Sequence, residues 1–576
     1  MADKIYRVNM SDLTSRLEDV PSKWAGLGGR GLTSNVIAAE VEPTCHPLGK
    51  NNKLVIAPGL LSGTQAANSG RLSCGAKSPL TGTIKEANSG GTAAQMLAKL
   101  GVKALIVEGK PADESKWYSL HVNSDGVTIQ EETELIGSGN FMVAEVLNKR
   151  IGDKVGVIAI GPAGEMRMLG ANISIKDPDS HMRSAGRGGL GAVMGSKKIK
   201  FISIEPTDQM VPVADPEGFK VASRAFAKAL IDNPISKALA QYGTNVLVNI
   251  INESGGLPTR NFTSGQFEGH EAISGETMYD TIIERGGKPK HNCHQGCVIN
   301  CSQIYADTKG QYKTSGFEYE SIWGLGADCC ISNLDHIAEA DNIMDDIGLD
   351  SIEIPVALGV AMEAGVLKFG DGVEVCRILK EEVGKGTPLG RIIGGGAGNV
   401  GKNFGVTRVP VVKNQAIPAY DPRAIKGMGI TYATSTQGAD HTMGYTITSN
   451  ILGVGGSVNP LSQEGQVELS RNLQIATAAI DSTGMCLFIA FAALDDATCL
   501  PALIDMINAR FGIALTADDV TNLGMSILKT ERAFNIAAGF TSQDDRLPEF
   551  FKEEAIAPHN VVWDIDDQII DSFWNF

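Results

Sequence analysis

Short runs of branched apolar residues, each closed by a turn, fill the N-terminal third of the chain. KLVIAPG (53–59), KALIVEG (103–109), KVGVIAIG (154–161) and KIKFISIE (198–205) have the length and β-branched content of strands. Between them, GTAAQMLAKLG (91–101) and NFMVAEVLNKR (140–150) carry apolar residues at helical spacing. The pattern predicts a mixed, β-rich domain. A polar, proline-bearing stretch, PTDQMVPVADP (206–216), reads as a linker. Beyond it the period becomes that of amphipathic helices: PEGFKVASRAFAKALIDN (216–233), with Pro216 at a helix start, then HIAEADNIMDDIG and IPVALGVAMEAGVL. A second glycine- and proline-rich stretch at 385–424 reads as another boundary, and helical patterning resumes near residue 461. No regular repeat array is legible.

The chain has 576 residues, of which 43% are apolar and 20% charged, an ordinary globular composition. No apolar run is long enough to span a bilayer; CLFIAFAAL (486–494) is among the longest. The N-terminal MADKIYRVNMSDL lacks the charged-then-apolar pattern of a signal peptide, so a cytoplasmic protein is expected. A net charge of −16 argues against nucleic acid and membrane surfaces as partners, and an acidic partner would need a local basic patch. Ten cysteines scattered over this length do not form a disulfide framework.

Glycine, at 67 residues, is the outlier, concentrated in 26–32, 87–91, 185–197 and 394–401. Such clusters make either tight turns or a backbone-lined cradle for a large phosphate-bearing ligand. Gly186, Gly188 and Gly191 spell G-x-G-x-x-G, but a polar, proline-bearing segment precedes them and a strand follows. A dinucleotide fingerprint needs the reverse order, so that reading fails.

The densest chemistry lies in HNCHQGCVINCSQIY (291–305), where Cys293, Cys297 and Cys301 recur every fourth residue. Three thiols at a fixed step are unusual for structural cysteines. Zinc held by Cys293, His294, Cys297 and Cys301 would fit poorly, because zinc sites favour paired C-x2-C ligands. An iron–sulfur cluster would take these thiolates and a fourth from elsewhere. A second pattern bears on the fourth. DDIGLD (345–350) and DSTGMC (481–486) both read D-x-x-G-[L/M]-[D/C] after an amphipathic helix. Two such turns are suited to gripping related halves of one ligand, and the second would bring Cys486 to the same place.

With these motifs the chain resembles the aldehyde ferredoxin oxidoreductases, tungsten or molybdenum enzymes with a bis-pterin cofactor. GRLSCGAKSPLTG (70–82), EANSGG (86–91), IGPAGE (160–165), AGRGGLGAVMGSKKIK (185–200), GFEYES (316–321) and YDPRAIKGMG (420–429) resemble family blocks in the family's order. The resemblance implies an α+β fold: a β-rich base domain of two related sheets (1–208), then two mainly helical domains (209–412 and 413–576). It implies that Cys293, Cys297, Cys301 and Cys486 hold one [4Fe–4S] cluster. It implies that Arg71 links pterin to cluster and that Asp345, Leu349, Asp350 and Asp481 bind the pterins. Asn88 and Ala185 would reach a Mg²⁺ ion shared by the pterin phosphates. Glu318 and His441 match the active-site carboxylate and histidine. The implied reaction is oxidation of a small aldehyde to its acid. Ferredoxin or an iron–sulfur subunit would receive the electrons, in a homodimer or hetero-oligomer.

Several features depart from the family. Its triplet is usually C-x2-C-x3-C, whereas this chain has C-x3-C-x3-C, which leaves His294 a minor ligand candidate. Met485 stands where leucine is usual, the E-x-x-H motif of some members is absent, and the acidic, aromatic C-terminus differs. Some relatives carry out other low-potential reductions, such as of aromatic thioesters, with a cysteine on the metal. For that alternative, Cys329 and Cys330 are the candidates.

Overall fold

The computed structural model describes residues 3–576. Its N-terminal part builds two six-stranded sheets. The first contains β1 (Lys4–Asn9), β2 (Thr14–Asp19), β3 (Leu54–Pro58), β4 (Leu72–Lys77), β5 (Ile84–Ser89) and β6 (Val102–Glu108), in the order β2-β1-β6-β3-β4-β5. The second contains β7 (Trp117–Asn123), β8 (Gly126–Glu132), β9 (Gly156–Ala159), β10 (Ile173–Lys176), β11 (Met182–Ala185) and β12 (Ile199–Ile204), in the order β8-β7-β12-β9-β10-β11. The two orders are the same topology written twice. In both, the first and last strands of the set pair in parallel, β1 with β6 and β7 with β12, each with a register shift at one end. The helices repeat as well: Gly29–Glu40 and Asn140–Ile151 follow the second strand of each set, and Ala93–Lys99 and Leu190–Ser196 precede the last. One core, with Val8, Leu54 and Leu105 from the first sheet and Leu120, Ile158 and Ile202 from the second, holds them together. The edge strands β5 and β11 meet at the seam.

The predicted strands and helices of this region all form. So do the helices expected at 216–233, 336–348 and 354–367, as Pro216–Asp232, Leu334–Ile347 and Glu353–Glu363. The stretch 385–424 differs from its reading as a boundary. It holds helices Pro388–Gly394 and Ala397–Phe404 and a short hairpin, and much of it is buried. One apolar core runs through both helical segments, from Val248, Trp323 and Val356 to Ile430, Ile447 and Phe573. The glycines of that stretch serve close packing: a Cβ on Gly390 would strike the Glu382 carbonyl oxygen. Among the described residues, no single helix is long and apolar enough to cross a membrane.

Helices meet sheets at two equivalent points. Helices Leu334–Ile347 and Gln466–Thr483 both end in a left-handed glycine, Gly348 (φ 83°) and Gly484 (φ 82°). The first turn docks on the second sheet. Asn172 N donates to Gly348 O (3.0 Å), Asn172 Nδ2 to Leu349 O (2.8 Å) and Asp350 N to Gly170 O (2.8 Å). The second turn docks on the first sheet, where Leu60 N donates to Ser482 O (3.1 Å), Leu61 N to Thr483 O (2.8 Å) and Arg71 N to Gly484 O (3.0 Å). The glycine just beyond β3 and the one just beyond β9 make these contacts possible. A Cβ on Gly59 would collide with Gly484 N, and one on Gly161 with Ile347 O. Gly59→Ala and Gly161→Ala are each expected to cost about 3 kcal/mol, because the obstacle is backbone and cannot swing aside. Urea denaturation of the apoprotein checks this; an unchanged midpoint would mean that the turns are free to shift.

Candidate active site

The two docked turns, the seam of the sheets and the helical layer enclose a cavity of about 450 Å³. Its floor holds Arg71, Asn88, Asp345, Asp350 and Asp481. Three of the four expected cluster thiols, Cys293, Cys301 and Cys486, line it as well. Ala185 and Leu349 lie just outside the lining. Ala185 is the end of β11, between the cavity residues Ser184 and Gly186, and the Leu349 carbonyl is tied to Asn172. Asn88, next to last in β5, and Ala185, last in β11, thus lie near the ends of the two edge strands, one at each side of the seam.

The thiols converge through Asn68. Its Nδ2 donates to Cys297 Sγ (3.7 Å), its Oδ1 accepts from Val298 N (3.0 Å) and its carbonyl accepts from Cys486 N (2.9 Å). One residue therefore ties the triplet loop, through its side chain, to the second turn, through its backbone carbonyl. A hydrogen bond from Cys297, with His294 and Arg71 nearby, holds the Cys293 thiol well below its ordinary range. Burial pushes Cys301 and Cys486 up. Burial works against the Arg71 charge, but the thiols of Cys486, Cys293 and Cys301 and the Asp481 carboxylate outweigh it, and its Nε has no partner. Among the described residues, no three His, Cys, Asp or Glu side chains gather on a point that would hold a single metal ion.

The floor is rich in buried carboxyls. Burial drives the Asp345 carboxyl well up and raises Asp481 to about 6, against the pull of Arg30 and Arg71. Arg30 donates from Nε and Nη2 to Glu531 (2.9 and 2.8 Å) and lies 3.4 Å from Asp481, tying the second turn to helix Ala517–Ala537. Arg187 has the matching role at the first turn. It approaches Asp350 (3.4 Å) and donates to the carbonyls of Ala439 (2.6 Å) and Ala416 (2.7 Å). Lys85 donates to Asp440 Oδ2 (3.0 Å); burial would raise the Asp440 carboxyl, but Lys85 and Arg187 hold it well down. None of Arg30, Lys85, Arg187 and Asp440 was a sequence candidate. The signals were Arg30 and Arg187 standing inside the glycine clusters at 26–32 and 185–197.

Both carboxylates of GFEYES line the cavity, but they part company. An extended segment would put them on one side. Instead a helix begins at Tyr319, with Glu318 as its extended N-cap residue (φ −83°, ψ 159°). Glu318 accepts from Thr244 Oγ1 (2.7 Å), and burial raises its carboxyl. It shares the thiols' side of the cavity, where its charge acts on Cys301. Glu320, one position into the helix, lies with Oε1 3.4 Å from His441 Nε2. So the residue the sequence pairs with His441 is Glu318, and the one the structure puts there is Glu320. Burial raises Glu320 to about 8 and lowers His441 to about 4. Glu320 Oε1 and His441 Nδ1 are both buried without a hydrogen-bond partner. The outer wall is apolar, with Leu239, Val246, Leu452, Phe488, Phe491 and Leu494.

Cys329 and Cys330 are not in the cavity lining. Cys329 is fully buried with its Sγ 3.4 Å from Pro355 O, and Cys330 Sγ lies 3.8 Å from Ala327 O. They pack the back of the helical core and do not supply a thiol to this site.

Two family models cover nearly the whole chain. The N-terminal domain of aldehyde ferredoxin oxidoreductase matches residues 5–206, and domains 2 and 3 match residues 221–574. The chain is 36% identical over 575 residues to the tungsten-containing aldehyde ferredoxin oxidoreductase of Pyrococcus furiosus, covering 96% of this chain and 91% of that protein. It is 37% identical over 576 residues to the protein of that name from Thermococcus kodakarensis, with the same coverage. An aliphatic sulfonate oxidoreductase, WOR-like subunit, of Pyrococcus furiosus matches at 26% over 598 residues, or 96% of this chain and 88% of that protein. Among solved structures, the active site complex BamBC of benzoyl coenzyme A reductase, in complex with 1,5-dienoyl-CoA, superposes with a TM-score of 0.81. That match has 19% identity and covers 99% of this chain and 93% of that one; it speaks to the fold alone.

Proposed function

The chain belongs to the aldehyde ferredoxin oxidoreductase family and is an oxidoreductase, and we propose that it oxidises small apolar aldehydes to carboxylic acids at a tungsten–pterin centre. The observation that carries this reading is the pair of partnerless buried atoms, Glu320 Oε1 and His441 Nδ1, at a cavity that also holds the thiols and Arg71. Two such atoms on different elements, one able to accept a proton and one able to donate, both in the lining of this cavity, suit a reacting group placed between them.

The residues present fit the cofactors. The turn carboxylates Asp345, Asp350 and Asp481 suit the amine-bearing edges of two pterins, and Arg71 stands between that floor and the thiols. Asn88 and the Ala185 carbonyl, at the seam, suit a Mg²⁺ ion between pterin phosphates. Cys293, Cys297, Cys301 and Cys486 suit one [4Fe–4S] cluster. When bound, the tungsten centre supplies the two-electron acceptor and the cluster the one-electron exit. The rest falls to the chain. The conversion RCHO + H₂O to RCOOH releases two electrons and two protons. His441, neutral near pH 7, offers Nδ1–H to the carbonyl oxygen. Glu320 Oε1 takes a proton from the attacking water or hydrate. The apolar wall excludes bulk water and receives the substrate's side chain.

The same wall bears on the alternative, reduction of a thioester. A coenzyme A ester brings phosphates that need cations. The cavity's Arg and Lys residues, Arg71, Lys85, Arg183 and Arg187, all lie on the floor, and no cysteine beyond the cluster set reaches the cavity. These observations favour the aldehyde. The test is aldehyde-dependent viologen reduction, with metal analysis, by protein expressed anaerobically with tungstate. Tungsten-loaded protein that leaves every aldehyde untouched would sink the proposal.

The electrons leave to a separate carrier in the cytoplasm. The triplet loop reaches the surface at Asn292, Gln295 and Gly296, next to exposed Lys288 and Lys290. In a chain of net charge −16, that pair is where an acidic ferredoxin would dock. Ferredoxin-dependent turnover of Lys288→Glu/Lys290→Glu is expected to fall about fivefold at low salt, with viologen-dependent turnover unchanged. Equal ferredoxin kinetics in parent and variant would place the docking face elsewhere.

A further inference from the structure

His294 lies in the Cys293–Cys297 interval, which is one residue longer than the family's usual spacing. It is completely buried. Its Nδ1 is 3.2 Å from Cys293 Sγ, and its Nε2 has no hydrogen-bond partner. The Cys293 sulfur is thus the ring's only polar contact among the described residues. The ring packs against Gly70, the residue before Arg71. A Cβ on Gly70 would run into its Cδ2 and Cγ, so glycine there is what admits the imidazole. Packing alone does not account for this. A leucine would fill the same apolar space without leaving a buried nitrogen unsatisfied. The one nitrogen with a partner, Nδ1, addresses the sulfur of a thiol already counted in the set, which is the place of a donor to a ligand.

We propose that His294 is a positioning residue for the iron–sulfur cluster, donating its Nδ1–H to the Cys293 sulfur and raising the cluster's reduction potential. Ligand sulfurs gain negative charge when a cluster is reduced, so an N–H···S bond stabilises the reduced form more than the oxidised one. The same bond fixes the Cys293 rotamer at the surface end of the triplet, where the electron leaves. This inference rests on the assignment of the four cysteines to a [4Fe–4S] cluster.

The test is an EPR-monitored redox titration of the holoenzyme, parent against His294→Leu and His294→Asn, with iron and sulfide analysis. Leucine removes the donor and keeps the bulk; asparagine returns an N–H near the position of Nδ1. At a fixed solution potential the reduced-to-oxidised ratio is expected to fall about tenfold in His294→Leu, 59 mV for one electron, with iron and sulfide unchanged. His294→Asn recovers most of the loss. In nitrogen-15-histidine-labelled parent protein, pulsed EPR shows a weak nitrogen coupling that His294→Leu lacks. An unchanged midpoint in His294→Leu with an intact cluster overturns the proposal. So does equal loss of the cluster in both variants, or a coupling of the size of a directly bonded nitrogen. Parent protein with no [4Fe–4S] signal and no iron would overturn the cysteine assignment itself, a separate outcome read before any variant is made.

Discussion

Glu320→Gln is expected to lower aldehyde turnover about 10²–10⁴-fold while leaving tungsten, iron and sulfide in place. The substitution keeps the shape and the contact to Ala419 N (3.1 Å) but removes the group able to take a proton. The pH profile gives the sign. Burial lifts the Glu320 carboxyl to about 8, so below that pH it is mostly protonated, and a base must be ionised. The parent rate therefore climbs between about pH 7 and 9, and that limb vanishes in the glutamine variant. Burial holds His441 near 4, so the ring stays neutral over this range and adds no step of its own. His441→Asn loses rate as well, through a donor rather than a base. Glu318→Gln is the comparison. Its carboxylate is already engaged by Thr244, and a much smaller loss is expected. Were Glu318→Gln the inactive variant and Glu320→Gln near the parent rate, the base assignment would reverse.

Cys486→Ser is expected to remove or destabilise the cluster and cut ferredoxin-linked turnover by more than about 100-fold, since a hard alkoxide replaces a soft thiolate. Cys486 is the only member of the set outside the triplet loop, and its backbone is pinned to Asn68. The serine side chain would therefore stay in place, and the loss would be one of ligand chemistry. Cys499 is buried among the apolar side chains of helix Cys499–Phe511 and Cys376 donates to the His336 carbonyl, both away from the cavity. Serine at either should leave the iron content alone. Full iron and sulfide in Cys486→Ser would remove it from the ligand set.

Local signals carried further than distant ones. The strands were legible because branched apolar runs are short and bounded by turns. The two docking turns were legible because the same helix-ending glycine pattern occurs twice. The thiol triplet needed no structure at all. A helix that starts between Glu318 and Glu320 turns their side chains apart, an event that the two-residue spacing does not show. In the stretch 385–424 glycine and proline serve close packing as well as turns, which composition alone does not separate. The ionic scaffold was out of reach for another reason. Lys85 and Asp440 are 355 residues apart and Arg30 and Glu531 are 501 apart, distances over which a single sequence carries no pairing signal. The two sheets share a topology strand for strand, yet no internal repeat can be read, since topology outlasts side-chain similarity.

Asn68 joins residues far apart in order of synthesis. It needs the loop at Cys297 and Val298 and the turn at Cys486, while Arg71 waits for the same turn. On the ribosome, then, the base sheets can be complete while the cofactor site does not yet exist. Cys486, the proposed fourth cluster ligand, emerges only after five-sixths of the chain. The contacts that bring the thiols together therefore form only once the last sixth of the chain is present. A truncation before residue 481 would keep the first docked turn and its contacts to the second sheet but lose Asp481, Cys486 and every contact of the second turn.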